Sequence, residues 1–360
     1  MQTLIEALGE EMYAKALSDS VINIADGQAL ARIMRQDTVK LAFLGASISI
    51  GYHASPNGCG RCFPDFLEEY FRAAGKQVEA VNMAVSGTNC LTGIMITQLL
   101  VKGQQPDIVF VEYSINEESH PIGLEKYESL LRMLLSLEKR PVVIPVSVFN
   151  RDGYSCEEYM LHFAKMYGNP MVGLKHSLYP LIQSGKLPMN VYTEDEGHPH
   201  VDGHEFIAKA IWLAIQKSIE DGAPTLPIPE PMTDVRFEGL KLIDLEKTAP
   251  ETEPCGYHEP MFPVCRKKKP GSRLVMEFED ECSQLVVMYV KSSSRDRAAV
   301  NVMCGGKRLG GFSGYSLFGW DNPWTEAVMS EPEKKRRHII LETEKGDENK
   351  QLYLIAAAYC

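Results

Sequence analysis

Four short, nearly unbroken apolar runs, at residues 39–44, 78–84, 107–113 and 141–148, decide what the N-terminal part of this chain can fold into. Each is too short for a buried helix. Each is followed by a stretch whose apolar residues recur at helical spacing, at 63–74, 91–102, 124–137 and 156–166, with a further one at 204–219. Runs that are apolar on both faces belong to strands covered on both sides, and strand–helix alternation makes such strands parallel. The expected fold is an α/β parallel sheet between two layers of helices. In a sheet of this kind the working residues gather beyond the carboxyl ends of the strands. Ser47, Gly87 and Asn116 each fall just past one.

Residues 1–38 read as amphipathic helix, with Asp26-Gly-Gln-Ala-Leu-Ala-Arg-Ile-Met-Arg spacing its apolar side chains along one face. This segment is expected to pack on the main domain, which then spans 1–220. At 221–233 the composition turns proline-rich, Asp221-Gly-Ala-Pro-Thr-Leu-Pro-Ile-Pro-Glu-Pro-Met, which predicts an extended, semi-rigid connector. Beyond it the helical period disappears. Short alternating or apolar runs at 235–245, 273–279, 284–291, 298–303, 338–343 and 351–358 predict a β-sandwich over 234–360. The basic runs Arg266-Lys-Lys-Lys269 and Lys334-Lys-Arg-Arg337 are expected in solvated turns.

The balance of charge, −11 at pH 7, repels phosphate backbones and anionic membranes, so neither nucleic acid nor membrane is an expected partner. The start, Met1-Gln-Thr-Leu-Ile-Glu-Ala-Leu, has no basic segment and no apolar core of the signal-peptide type. No apolar run approaches the ~20 residues of a membrane span. The nine cysteines are odd in number and scattered. Only Cys59-Gly-Arg-Cys62 has metal-ligand spacing, and it lacks a second pair, so no metal is expected. Free thiols fit a reducing cytoplasm. Oligomeric state is open, a homo-oligomer included.

The chemistry starts at Leu41-Ala-Phe-Leu-Gly-Ala-Ser47, a strand that stops abruptly in front of a serine. That geometry lifts a nucleophilic hydroxyl to the lip of a sheet, although a serine here also serves as a simple helix cap. The second signal decides between them. In Asp195-Glu-Gly-His198-Pro, directly before a long helix, a carboxylate three residues ahead of an imidazole can hold one ring nitrogen. The other nitrogen is then free to take the serine proton. Acyl transfer also needs donors aimed at a developing oxyanion. The Ser47 amide, the Gly87 amide in Asn82-Met-Ala-Val-Ser-Gly87 and the Asn116 side chain in Tyr113-Ser-Ile-Asn116-Glu117 could supply three.

These four blocks, in this order, resemble those of the SGNH (GDSL-type) hydrolases over roughly residues 20–218. Gly45-Ala-Ser47 corresponds to the first block, with Ala46 where the family usually has Asp or Gly. Gly87 corresponds to the second and Ser114-Ile-Asn116-Glu117 to the third. Asp195-x-x-His198 corresponds to the last. The resemblance implies a flavodoxin-like three-layer fold with Ser47 as nucleophile, His198 as base and Asp195 as its orienter. It implies Ser47, Gly87 and Asn116 as oxyanion hole and no metal or organic cofactor. The block Val111-Glu-Tyr-Ser-Ile-Asn-Glu117 with a C-terminal sandwich is similar to the mannan O-acetylesterases of carbohydrate esterase family 17. In that group a second domain like a carbohydrate-binding module lends an aromatic to the active-site rim. Trp320 and Trp324, set in Gly314-Tyr-Ser-Leu-Phe-Gly-Trp-Asp-Asn-Pro-Trp324, are the candidates here, as sugar platforms or as core residues. Trp320 is favoured, since its glycine, aspartate and asparagine neighbours predict a loop.

The remaining polar residues divide less sharply. His53 is a candidate for lining the pocket and Glu117 for its rim, against ordinary loop and core-edge roles. Glu112 is expected to be solvated or at the edge of the core. His200 and His204 lack zinc-helix spacing, and His204 is expected to be structural. The expected activity is removal of acetyl groups from oligosaccharides, manno-oligosaccharides foremost. A short-chain esterase, lysophospholipase or thioesterase, or a carbohydrate-binding protein with a decayed site, are the alternatives.

Overall fold

The structure, a computed structural model, describes residues 2–54, 60–256, 262 and 265–360. It divides into two compact units, Met1–Gly93 with Leu100–Asp234, and Ile94–Leu99 with Val235–Cys360.

The first unit is built on six strands: β1 (Val21–Asn23), β2 (Thr38–Gly45), β3 (Gln77–Asn82), β4 (Ile108–Glu112), β5 (Val142–Ser147) and β6 (Met171–Gly173). Their order across the sheet is β1-β6-β5-β4-β2-β3, with β2 to β6 parallel and β1 antiparallel at the edge. All four apolar runs are strands of this parallel sheet. β1 and β6, of three residues each, carry too little sequence to show a period. After β2 the chain steps outward to β3 and then returns past β2 to β4. The direction of winding therefore reverses at β2, which opens a crevice at the carboxyl ends of β2 and β4.

Both faces of the sheet are buried at its centre, and β4 and β5 have no exposed residue. Val39, Leu41 and Phe43 face one way, into a core shared with the helices Phe63–Ala73 and Val201–Asp221. There the Phe43 ring stacks on Phe110 at 4.8 Å and meets Phe63 edge-on at 6.0 Å. Leu44, Val109, Val111 and Val143 are as deeply buried on the other face. Right-handed crossovers put the helices after β3, β4 and β5 on that side. The helix expected at 91–102 begins at Cys90 and widens into a π-type turn over Thr97–Val101.

The N-terminal segment packs on this unit. Leu4, Leu8 and Ala16 join the core, and the Leu4 amide donates to Asp202 Oδ2 at 2.7 Å. The proline-rich stretch is tied down rather than free. Arg132 donates to the Pro229 carbonyl, Arg140 to that of Leu226, and the Met232 and Thr233 amides both donate to Glu128 at 2.7 Å.

The named strands of the second unit all pair antiparallel. Its strands are β7 (Lys241–Leu242), β8 (Thr252–Pro254), β9 (Arg266–Lys268), β10 (Val275–Ser292), β11 (Ala299–Cys304), β12 (Lys307–Ser313), β13 (Trp320–Thr343) and β14 (Tyr353–Tyr359). One hydrogen-bonded sheet runs β12-β11-β13-β10-β14-β9-β8, with β7 beside β14. The separate strands expected at 273–279 and 284–291 are one strand, β10, interrupted by a bulge between Cys282 and Gln284. The run at 338–343 is likewise only the end of β13. β11 extends the half around Ile339–Thr343, and β14 extends the half around Leu285–Tyr289. Bent at its bulges, the sheet closes over itself. Leu285, Val287 and Tyr289 of one half meet Val302, Phe312 and Leu341 of the other, with the Tyr289 and Phe312 rings 4.5 Å apart. The sandwich is thus a single folded sheet.

Three expectations for this unit are corrected. Residues 235–245 are no strand beyond Lys241–Leu242, because Val235 takes a left-handed conformation (φ 42°) and Leu245–Thr248 form a helical turn. Arg266–Lys268 lie in β9, with Lys268 buried and its ammonium donating to the Ser272 and Glu348 carbonyls. Arg337 is buried within β13 on Glu331 and the Glu333 carbonyl. Side-chain charge signals solvent only until a carbonyl or carboxylate is within reach.

Glu128 fastens the proline-rich stretch through two backbone amides and the Tyr167 hydroxyl. Glu128→Ala should therefore lower unfolding stability by about 2 kcal/mol, the cost of leaving the buried Tyr167 hydroxyl and two part-buried amides unmet. Urea unfolding followed by circular dichroism checks this, with the midpoint shifted and the slope unchanged.

Candidate active site

The Ser47 turn is set by the residue that ends β2. A Cβ on Gly45 would stand 2.1 Å from Ser49 Oγ and 2.9 Å from the Glu112 carbonyl, so only glycine lets β2 run this close to its neighbours. Ala46 is wholly buried, which explains a small residue there. Ser47 then opens one short helical turn, Ser47–Ile50, closed by Gly51 at φ +80°. The hydroxyl of Ser47 stands at the carboxyl end of β2.

Asp195 builds the opposing wall. Its Oδ1 accepts from the Gly197 amide at 2.9 Å, the His198 amide at 2.8 Å and the Thr193 hydroxyl at 3.0 Å. Its Oδ2 lies 2.7 Å from His198 Nδ1, and His198 Nε2 lies 2.8 Å from Ser47 Oγ. One carboxylate thus shapes the loop with one oxygen and holds the ring with the other. Burial works to raise the Asp195 pKa, but the two amides and the imidazole outweigh it and hold the carboxyl well below the usual range. A charged Asp195 accepts a hydrogen bond from Nδ1–H and so keeps the proton on that nitrogen, which leaves Nε2 to accept from Ser47.

Gly87 (φ +71°) follows β3 and Asn116 follows β4, so both lie at the same strand ends as Ser47. The loop after β3 is braced from below, where Asn82 donates to the Ser49 carbonyl at 2.7 Å and the Val85 amide to Gly45 at 3.0 Å. Asn116 sits in a turn closed by its own amide on Tyr113, and its Oδ1 is buried with no partner among the described residues. Ser114 is buried and accepts the Val148 amide at 2.9 Å, which anchors the turn to the end of β5.

Other expectations fare differently. His53 lies against the Asp195–His198 pair: its Nδ1 is 3.4 Å from Asp195 Oδ2 and its ring stacks on His198 at 5.8 Å. Tyr52, not singled out from the sequence, meets the His198 ring edge-on at 4.9 Å. Nothing in residue spacing foretells a contact between loops so far apart in sequence. Glu117 is no rim carboxylate. It is buried, accepting the Cys90 amide at 3.0 Å and pairing with Lys126 at 3.3 Å, and so clamps the turn after β4 to the start of the helix Cys90–Ile96 and to the helix Pro121–Leu135. Glu112, expected at an edge, has no accessible surface at all.

His204 stacks on Phe63 at 6.4 Å, wholly buried. Burial and the nearby His198 and His200 pull it down to about 3, so it stays neutral and structural. Among the described residues no cluster of His, Cys, Asp or Glu could hold a metal ion. Cys59 lies outside the described residues, and Cys62 stands at the start of the helix Phe63–Ala73 with its thiol on the Ser49 carbonyl. No helix among the described residues is long and apolar enough to cross a membrane.

On the second unit, Trp320 and Trp324 are in β13 rather than a loop. Trp324 is half-buried, its Nε1 donating to Glu326 at 3.0 Å and its ring under the Lys291 ammonium at 4.2 Å. Trp320 is 59% exposed, and Phe318 and Leu317, missed in the sequence, are 82% and 71% exposed beside it in the chain.

Residues 43–206 match the GDSL-like Lipase/Acylhydrolase family. That match bears out the resemblance carried by the four blocks, and with it the ester-hydrolase class. No curated protein sequence matches the chain significantly. Among solved structures, a two-domain esterase (CEX) active on acetylated mannans aligns with a TM-score of 0.80 at 20% identity, covering 95% of this chain and 97% of that one. The same esterase co-crystallised with mannopentaose aligns with a TM-score of 0.79 at 19% identity, with the same coverage. At this identity the likeness speaks for the fold, a parallel α/β domain followed by an antiparallel β domain.

The crowding at Gly45 yields a direct test. Gly45→Ala should force the Ser49 side chain and the Ser47 turn to shift, lowering stability by about 2 kcal/mol as overpacking does. Labelling of Ser47 by a fluorophosphonate should slow at least about tenfold, since displacement of a reacting group is costly. Intact-mass spectrometry against time measures it.

Proposed function

We propose that this chain is a serine esterase that removes O-acetyl groups from oligosaccharides through an acyl-enzyme on Ser47. The observation that carries the reading is the continuous chain from Ser47 Oγ through His198 to Asp195, at 2.8 and 2.7 Å.

In this reading Ser47 Oγ attacks the acetyl carbonyl carbon while His198 Nε2 takes its proton. The negative charge that forms on the carbonyl oxygen is met by the Ser47 and Gly87 amides and the Asn116 side chain. Collapse breaks the ester bond, and His198 returns the proton to the departing sugar oxygen. Water then attacks acetyl-Ser47 with His198 again taking a proton. Release of acetate returns the proton to Ser47 and restores the starting state. Asp195 keeps its charge throughout and favours the imidazolium that forms in each half. No step calls for a metal or an organic cofactor.

The sugar class is supported from two sides. One is the fold shared along its whole length with an esterase active on acetylated mannans. The other is the exposed apolar surface of Leu317, Phe318 and Trp320 on the second unit. An exposed indole is the kind of platform on which a sugar ring packs its apolar face. We assign Trp320 rather than Trp324 to that task, because the Trp324 ring is already occupied by Lys291 and Glu326. Manno-oligosaccharides are the first substrates to try.

Wild type incubated with acetylated manno-oligosaccharides should release acetate, seen as loss of acetyl mass by mass spectrometry. Ser47→Ala should reduce this at least about 10³-fold, as loss of a nucleophile does. A wild type that cleaves aryl acetate but no acetylated sugar keeps the esterase and removes the sugar. A preference for long acyl chains would turn the reading toward a lipid or thioester substrate.

Trp320→Ala should weaken turnover of acetylated oligosaccharide about five-fold, the worth of one stacked ring, and aryl acetate by much less. Equal losses on both substrates would remove Trp320 from substrate binding.

A further inference from the structure

Directly behind the Ser47 turn lies a carboxyl group that the acyl-transfer reading leaves unused. Glu112 is the last residue of β4, in register with Gly45 of β2. It is completely buried. The Ser49 hydroxyl donates to its Oε2 at 3.4 Å, and the backbone amides of Ala46 and Ser114 also act on its carboxyl. Those amides belong to the residue before Ser47 and to the turn that presents Asn116. Its other oxygen, Oε1, has no partner among the described residues.

The groups facing Glu112 are uncharged. Tyr113 follows it in the chain, and Tyr192 approaches from the short helix Met189–Tyr192. Burial pushes both phenols up, so both remain neutral, and the Tyr192 hydroxyl also lacks a partner among the described residues. No lysine, arginine or histidine contributes to its environment. A carboxylate kept merely for stability would be expected beside a cation.

We propose that Glu112 is a positioning residue whose carboxyl ties the Ser47 turn to the Asn116 turn and so fixes the oxyanion donors of adjacent strand ends relative to one another. The proposal rests on the serine-esterase reading for its catalytic meaning, while the tie itself does not.

The protonation state decides whether the tie helps. Burial without a cation pushes Glu112 from 4.5 up to about 7, against the smaller opposing pull of the Ala46, Ser49 and Ser114 donors. As the neutral acid it keeps the Ser49 hydroxyl on Oε2, and Oε1 is the oxygen left for the proton. Ionised, it sets a negative charge behind the amides that must stabilise negative charge on the tetrahedral oxygen. Glu112 should therefore add no penalty to activity below about pH 7 and should lower activity as it ionises above it. The stability linkage has the same direction. With its folded pKa raised, Glu112 costs nothing below the unfolded value of 4.5. Its stability is lost progressively as pH rises through about 7 and is lost no further beyond.

Two readouts test this separately. Amide NMR of the full chain between pH 6 and 8 should show Ala46, Ser47 and Ser114 shifting together with one midpoint near that of Glu112, and Glu112→Gln should abolish the shift. Hydrolysis of 4-nitrophenyl acetate across the same range should show an alkaline decline in wild-type kcat that Glu112→Gln lacks. Glu112→Leu should lose kcat about tenfold or more with little change in KM, and Glu112→Gln should recover most of that loss. Amides that do not titrate in wild type overturn the proposal, as does a Glu112→Gln enzyme with the wild-type alkaline limb. Titrating amides in a wild type inert to every ester would keep the tie and reject the esterase reading instead.

Discussion

A parallel sheet buried on both faces leaves its chain little choice. Each connection must return over a helix, so every strand delivers its carboxyl end to the same edge. The order β3-β2-β4 adds the decisive constraint, because winding reverses at β2 and the loops after β2 and β4 part there instead of overlying each other. Ser47, Gly87 and Asn116, separated along the chain, are neighbours at one edge for that reason. The Asp195–His198 loop reaches them from the far side of the fold, just before the helix Val201–Asp221 that packs against the helix Phe63–Ala73. The site is thus a by-product of topology, refined by side chains.

The refinement relies on backbone more than on charge. Asp195 spends three hydrogen bonds on its own loop and the Thr193 hydroxyl before it holds the imidazole. Gly45 removes a side chain so that Ser49 and the Glu112 carbonyl can close on the turn. Glu117 locks the turn after β4 to the Cys90 amide. A hydroxyl, an imidazole and an amide can be held to a fraction of an ångström only if the loops carrying them are themselves fixed, and here the loops are pinned by Asp195, by Glu117 and by the close approach at Gly45.

What could be read in the sequence follows from the same physics. Strands buried on both faces announce themselves as apolar runs, and the Asp195-x-x-His198 spacing survives because a local turn alone satisfies it. β1 and β6 escape notice because three residues cannot display a period. Lys268, Arg337 and Glu117 mislead because charge is read as exposure, whereas each is buried against a carbonyl or an opposite charge that the fold brings within reach. β10 looks like two strands, and β13 shows only its end, since a bulge interrupts alternation without ending the strand. The contact of His53 with Asp195 depends on two loops meeting in space, and nothing local in either loop encodes it.

Two acidic side chains in this layer show how fully surroundings override type. Asp195 is partly open to solvent, yet two amides and an imidazole hold its charge against any ordinary acidity. Glu112 is the more deeply buried, and its donors are fewer and uncharged, so it sits near the point of changing state. Exchanging the two environments would exchange the two behaviours, since the reference values of the groups differ far less than the shifts imposed on them. In the proposed reaction a permanently charged carboxylate suits the base it would orient, because the imidazolium needs a fixed counter-charge. Behind the proposed oxyanion donors the demand is opposite, and only a carboxyl kept free of cations can meet it by remaining neutral.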